Sequence, residues 1–254
     1  MSVIDNKTVF STVEFDSWAH RNRLMPAEKF LIEKYLVKGG KTLEAGTGGG
    51  KILFEMKGLG FDSLHGFDFV PEFIKQARSK DVDNNISFEV GDAVRLKYSE
   101  SSFDQLIYLQ QIISFIDEEE SRLRALQEAY RILRTGGVAV FSFLSFDVRV
   151  TNPFYYCYVM YLRCLRMLRR SHLSIQYLPW LKLGGKPNLS SLVDQRPYGY
   201  WYRLSEIYQL LNDVGFRLEA VGSTHQIEQG CMEESYDALV GERLAGMLYI
   251  VCSK

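Results

Sequence analysis

TLEAGTGGGKI, residues 42–52, reads as a strand ending at Glu44, a turn carrying Gly46, Gly48, Gly49 and Gly50, and the opening of a helix. Glycine supplies the positive φ that a tight strand-to-helix turn requires, and its missing side chain lets backbone come close to a ligand. Such a turn holds a pyrophosphate when its pattern is G-x-G-x-x-G. Counted from Gly46, the last glycine of that pattern falls on Lys51, so the match fails. The pattern is instead E-x-G-x-G-x-G, with Glu44 two residues ahead of the first glycine. A carboxylate at the mouth of the turn repels a pyrophosphate and suits a cofactor that carries an amine and a sulfonium cation.

Outward from this turn, residues 41–144 alternate short β-rich runs with helical patterns, the signature of βα units feeding a parallel sheet. The strands are KTLEAG (41–46), SLHGFDF (63–69), ISFEV (86–90), FDQLIYL (103–109) and GVAVFSFL (137–144). The clearest helix spans residues 118–134, with Asp117 as its cap, Glu120 at the capping-box position, and Gly136 and Gly137 as its stop. Leu123, Leu126, Ala129, Tyr130 and Leu133 form its expected buried stripe. Residues 145–199 then pass without strand–helix alternation, and a structureless loop of that length is uncommon, so a folded, mostly helical insertion is expected. Ser205 is expected to cap EIYQLLNDV, Gly215 to close it, and FRLEAVGS and AGMLYIVCS to form two terminal strands. SWAHRNRLMPAEKFLIEKYL (17–36) reads as one or two helices. The whole, residues 1–254, is expected to be a single domain with an N-terminal helical segment over 1–40.

With these motifs in this order, the chain resembles the class I S-adenosylmethionine-dependent methyltransferases, and more narrowly their small-molecule, ubiquinone/menaquinone methyltransferase-like branch. The resemblance implies an α/β fold: a Rossmann-like seven-stranded sheet with helices on both faces and a reversed final hairpin. LEAGTGGG matches the first family motif, which implies that Glu44, Gly46, Thr47 and Gly48 line the methionine end of S-adenosyl-L-methionine. GFDFVPEFIKQAR matches the second, so Asp68 would take the ribose hydroxyls and Phe69 would lie against the adenine. VGDAVRL matches the third, with Asp92 toward the adenine amine and Ala93 offering its backbone N–H. LQQIISFI follows the fourth strand, where Leu109 and Gln110 would meet cofactor and Gln111 substrate. The chemistry agrees with the likeness: Asp68, an acid ending the second strand 24 residues after Glu44, is where a vicinal diol is read by paired charge-assisted hydrogen bonds.

No catalytic base transfers from the family. A methyl on a sulfonium has a good leaving group already, so alignment in a dry pocket can supply much of the rate. His225, in GSTHQ after the sixth strand, is the candidate general base, since an imidazole titrates near about 6.5. The competing functions are an RNA or protein methyltransferase and a non-catalytic S-adenosylmethionine-binding partner subunit.

The net charge of −1 argues against wholesale nucleic-acid binding. It is unevenly spread: residues 145–199 hold eight basic residues against two acids, which leaves −7 for the remainder. On a helical wheel Tyr158, Tyr161, Leu162, Leu165 and Leu168 share a stripe, flanked by Arg163, Arg166 and Arg170. The expectation is a lid in which Arg163 and Arg166 hold a small, anionic or aromatic acceptor, with peripheral membrane contact as the alternative. Cys157, Cys164, Cys231 and Cys252 form no CxxC pair, which argues against a zinc site or a disulfide framework. Without a signal-like start or an uninterrupted apolar span, a cytoplasmic protein is expected.

Overall fold

The computed structural model describes residues 5–20 and 23–254. Positions 1–4 and 21–22 of the expected N-terminal helical segment lie outside the described residues. A seven-stranded sheet organises the chain: β1 (Thr42–Ala45), β2 (Leu64–Asp68), β3 (Ile86–Val90), β4 (Phe103–Tyr108), β5 (Leu133–Phe143), β6 (Arg217–Ser223) and β7 (Leu248–Ser253). Their spatial order is β6-β7-β5-β4-β1-β2-β3. Only β7 runs against its neighbours, pairing antiparallel with both β5 and β6. The remaining pairs, β1 with β2 and β4, β2 with β3, and β4 with β5, are parallel.

Helices cover both faces, which explains why the inner strands are continuous apolar runs rather than alternating ones. On one face α6 (Glu119–Ile132) and α9 (Leu204–Val214) set Leu126, Ala129, Ile207 and Leu211 against Leu43, Tyr108, Phe141 and Phe143 of the sheet. On the other, α3 (Pro26–Tyr35), α4 (Lys51–Gly58) and α5 (Pro71–Lys80) set Leu31, Leu53, Met56 and Ile74 against Leu64, Ile107 and Val140. Burial of these side chains contributes roughly 25 cal/mol per Å² of apolar area removed from water. Two short helices precede α3: α1 (Asn6–Ser11), whose first turn is capped by Asp5 accepting from Thr8 N–H at 2.7 Å, and α2 (Phe15–Ala19).

Four local expectations need correcting. The helix expected over 118–134 spans Glu119–Ile132, with Glu118 at its N-cap and no side-chain cap, so neither Asp117 nor Glu120 plays its expected part. It runs directly into β5, with Gly136 and Gly137 inside the strand rather than stopping the helix. Of the expected stripe Leu126 and Ala129 are buried on the helix and Leu133 at the start of β5, but Arg122, Ala125 and Ile132 complete the buried face, Tyr130 is half-buried and Leu123 faces solvent. The helix expected to be capped by Ser205 begins at Leu204, after Arg203, while Gly215 closes it in the left-handed region as expected.

The insertion is helical only in its first half, as α7 (Phe146–Thr151) and α8 (Pro153–Leu168). Its second half consists of two short antiparallel ribbons, Tyr177–Pro179 with Tyr198–Tyr200 and Lys182–Leu183 with Lys186–Pro187, and a 3-10 turn, Leu189–Val193. Two further short helices, α10 (Thr224–Glu228) and α11 (Tyr236–Leu239), lie between β6 and β7. Among the described residues no helix is long and apolar enough to cross a membrane.

Candidate active site

β1 lies where the strand order reverses, with β2 on one side and β4 on the other, so the crevice for a ligand opens beyond the C-terminal ends of these strands. A cavity of about 560 Å³ occupies that place, within the range of small-molecule sites. Gly46, Gly48, Asp68, Phe69, Asp92, Ala93 and Gln110 all line it. The turn after β1 depends on glycine at its first position: Gly46 has φ +62, and a Cβ there would collide with the Ile112 side chain. At Gly49 a Cβ would instead strike the Ala19 carbonyl, so the glycine turn lets the N-terminal segment close against it.

Asp68 ends β2 and is buried. Its Oδ2 accepts from Gly48 N–H at 2.9 Å and its Oδ1 from Val70 N–H at 3.0 Å. A carboxylate has about four acceptor positions, so capacity remains for a ligand's hydroxyls. Burial pushes the carboxyl up to about 6, against the opposing pull of the Val70, Gly48 and Phe69 backbone donors. Asn6 Oδ1, on the cavity's N-terminal wall, is buried with no partner among the described residues, a costly arrangement that a ligand donor would relieve. The close-set glycine turn, the spare acceptors of Asp68 and this orphaned oxygen fit a nucleoside-bearing cofactor.

The expected residues divide between the cavity wall and the layer behind it. Glu44, Thr47 and Leu109 do not line the cavity; they are buried beneath it. Thr47 Oγ1 donates to Glu44 Oε2 at 2.6 Å. Burial pushes the Glu44 carboxyl up to about 8; Thr47 opposes this, Glu28 adds to it, Lys51 opposes it and Asp68 adds to it. The sign of the linkage follows: an acid raised from 4.5 to about 8 gives stability that is complete below about pH 4.5 and lost as pH climbs through about 8. Glu44→Gln is therefore expected to flatten the fall in melting temperature between about pH 5 and about pH 8. Scanning calorimetry across that interval checks it, and an unaltered slope would assign the fall to other groups.

Sequence reasoning missed a buried network beside Glu44. Lys51 Nζ donates to both carboxylate oxygens of Glu28, at 2.9 and 2.7 Å, and Gln110 Nε2 donates to Glu28 Oε1. Lys51 was visible only as the residue that breaks the dinucleotide pattern, and nothing in the sequence marks Glu28 as its partner. Gln110 and Gln111, at φ +63 and +57, are two consecutive non-glycine residues in the left-handed region. Each costs on the order of 1–2 kcal/mol, offset here by the bond to Glu28 and by Gln111 N–H donating to Ser142 Oγ at 2.9 Å. The strain turns the chain sharply at the end of β4.

The second omission is the aromatic roof. Phe10 of α1 lies 6.4 Å from Phe69, 6.1 Å from Trp18, 5.6 Å from Phe115 and 5.3 Å from Trp180, centroid to centroid. Asn6 Nδ2 pins α1 by donating to the carbonyls of Phe115 at 2.8 Å and Tyr198 at 2.9 Å.

Other expected residues lie away from the cavity. Gln111 does not line the cavity. His225 lies in α10, beyond β6 at the sheet edge opposite β3, and its ring is 3.3 Å from Gln229 Nε2. Arg166 is buried, its guanidinium paired with both Asp194 oxygens at 2.6 and 2.7 Å and donating to the carbonyls of Ser174 and Tyr177. That guanidinium is spent inside the insertion, and Arg163 faces solvent outside the cavity.

A parallel α/β sheet with a reversed last strand, a glycine turn at the switch point and an acid ending the second strand define the architecture of a nucleoside-cofactor-dependent transferase. A methyltransferase-domain family model matches residues 43–141. The ubiquinone/menaquinone biosynthesis C-methyltransferase of Bdellovibrio bacteriovorus is 31% identical over 163 residues, covering 60% of this chain and 67% of that protein. The demethylmenaquinone methyltransferase of Deinococcus radiodurans is 34% identical over 100 residues, covering 38% of this chain and 40% of that protein. Among solved structures, a SAM-dependent methyltransferase from Methanosarcina mazei superposes with a TM-score of 0.65 at 19% identity, covering 91% of this chain and 98% of that one, a likeness of fold. The chain belongs to the class I S-adenosylmethionine-dependent methyltransferases, in their ubiquinone/menaquinone methyltransferase-like branch. It is an enzyme whose cofactor is S-adenosylmethionine.

Proposed function

We propose that the chain methylates a ring carbon of a small hydroxylated aromatic acceptor of the quinol type. The observation that carries this is the aromatic wall of Phe10, Trp18 and Phe115 on the cavity, backed by Trp180 packed against Phe10 and Phe115, whose apolar faces suit a flat ring. The names of the two relatives, a ubiquinone/menaquinone biosynthesis C-methyltransferase and a demethylmenaquinone methyltransferase, support the same acceptor class.

Asp68 accepts the ribose hydroxyls, Phe69 lies against the adenine, and the Asp92 carboxylate and Ala93 N–H meet the adenine edge. Gly46 and Gly48 let the backbone approach the methionine portion, with Gln110 held beside it by Glu28. S-adenosylmethionine supplies an electrophilic methyl on a sulfonium. The ring carbon takes the methyl as the carbon–sulfur bond breaks and S-adenosylhomocysteine leaves, and the ring then loses its proton from that carbon to solvent as aromaticity returns. The chain accelerates the displacement by ordering donor and acceptor in a pocket that excludes bulk water.

The test offers the purified enzyme labelled S-adenosylmethionine with three acceptors: demethylmenaquinol, a catechol and a primary amine. Label is expected in demethylmenaquinol, on carbon and stable to ether cleavage, with one S-adenosylhomocysteine formed per methyl. Label confined to the catechol oxygen or the amine would overturn the carbon assignment.

A further inference from the structure

Among the described residues, nothing covers the outward face of α8. Exposed large apolar side chains are concentrated there and on the adjoining 3-10 turn: Phe154 is 86% exposed, Leu168 78%, Leu189 74% and Met167 70%, with Met160 and Leu192 between them. The turn is fastened to the helix, since Tyr158 and Tyr161 donate their hydroxyls to the carbonyls of Ser191 and Leu192 at 2.8 and 2.5 Å. The two therefore present one continuous surface.

The composition of α8 explains why that surface is unusual. Val159, Leu162 and the Arg166–Asp194 pair face inward. Phe154, Tyr161 and Leu168, spaced by seven residues, form an outward ridge beside Cys157 and Cys164 and beside Met160 and Met167. A helix apolar on all sides is normally covered on all sides. With only 16 residues, α8 is too short to span a bilayer.

Charge decides what covers it. No aspartate or glutamate occurs from residue 148 to 193. Arg163, Arg169, Arg170, Lys182 and Lys186 are all exposed there. A second copy of the chain, related by a two-fold axis, would set this basic surface against itself. A convex apolar ridge with arginines at its margin fits instead the interface of an anionic membrane, where the rings and thioethers enter the acyl boundary and the arginines meet headgroup phosphates. We infer that the outer face of α8, with the Leu189–Val193 turn, docks the enzyme peripherally on an anionic lipid bilayer.

The inference does not depend on the acceptor's identity, and its test uses no acceptor. Wild-type enzyme is sedimented with phosphatidylcholine vesicles containing about 30% phosphatidylglycerol and with phosphatidylcholine alone. It is expected to partition onto the anionic vesicles at least tenfold more strongly, with partitioning weakened by salt. Phe154→Ser with Leu168→Ser, and separately Arg163→Gln with Arg170→Gln, are each expected to lower that partitioning about tenfold or more. Unchanged S-adenosylhomocysteine affinity shows that the variants are folded. Failure of the wild type to bind anionic vesicles overturns the inference, as does equal binding by wild type and both variants. A concentration-dependent dimer abolished by the serine pair, without vesicle binding, overturns it in favour of self-association.

Discussion

Asp68→Ala is expected to weaken S-adenosylhomocysteine binding by about 10- to 100-fold, or about 1–3 kcal/mol, while leaving the melting temperature of the free enzyme near that of wild type, because removal of a buried charge offsets the loss of the acceptor for the Gly48 and Val70 N–H groups. The two halves of this result have one cause. Asp68 is a buried carboxylate whose pKa is raised to about 6, so above that pH its charge is a burden to the empty fold. What it loses without ligand it returns when hydroxyls meet its spare acceptor positions. Calorimetric titration measures the first half and thermal unfolding the second. Unchanged affinity would remove Asp68 from the ribose site, and a large loss of stability would make it a structural group.

Arg166→Met is expected to destabilise the insertion by about 3–5 kcal/mol, because it strands the buried Asp194 carboxylate without its partner. The Ser174 and Tyr177 carbonyls lose their donor in the same step. Amide exchange along α8 should accelerate, and the further change Asp194→Asn should restore much of the protection, as expected when the damage is an uncompensated charge. An acceptor-binding arginine predicts the reverse: normal exchange and a raised Michaelis constant.

This pair also shows where sequence reasoning stops. Arg166 was legible as a basic residue on a helical flank, yet its partner lies 28 positions away in a turn with no periodic signal. A lone arginine looks the same in sequence whether solvated or buried. Each strand of the main sheet was legible because its apolar run was bounded by turn residues, and the order of motifs after β1, β2 and β3 located the cavity. The end of α6 was not: Gly136 and Gly137 look like a helix stop, while helix and strand join at Leu133 without a turn. The roof was illegible for a different reason, since Phe10, Phe115 and Trp180 converge only through the tertiary fold. Glu44 was read correctly as an acid at the glycine turn, but its position behind Thr47 rather than on the cavity wall depends on which way β1 faces its neighbours.

The reversed strand carries a consequence for the order of assembly. β6 precedes β7 in the chain, yet in the sheet its one neighbour is β7. It reaches the sheet only through β7, whether β7 pairs first with β5 or first with β6 as a hairpin, so this edge closes last in either case at the β7–β5 seam or beyond it. Until then β5 presents unpaired backbone groups along a strand containing Val138, Val140, Phe141 and Phe143, a template for pairing with another nascent chain. The cofactor cavity is built beyond the ends of β1, β2, β3 and β4 and owes no lining residue to β6 or β7. The crevice and the closing edge of the sheet are thus built from separate stretches of strand, and cofactor binding stabilises the first without touching the second.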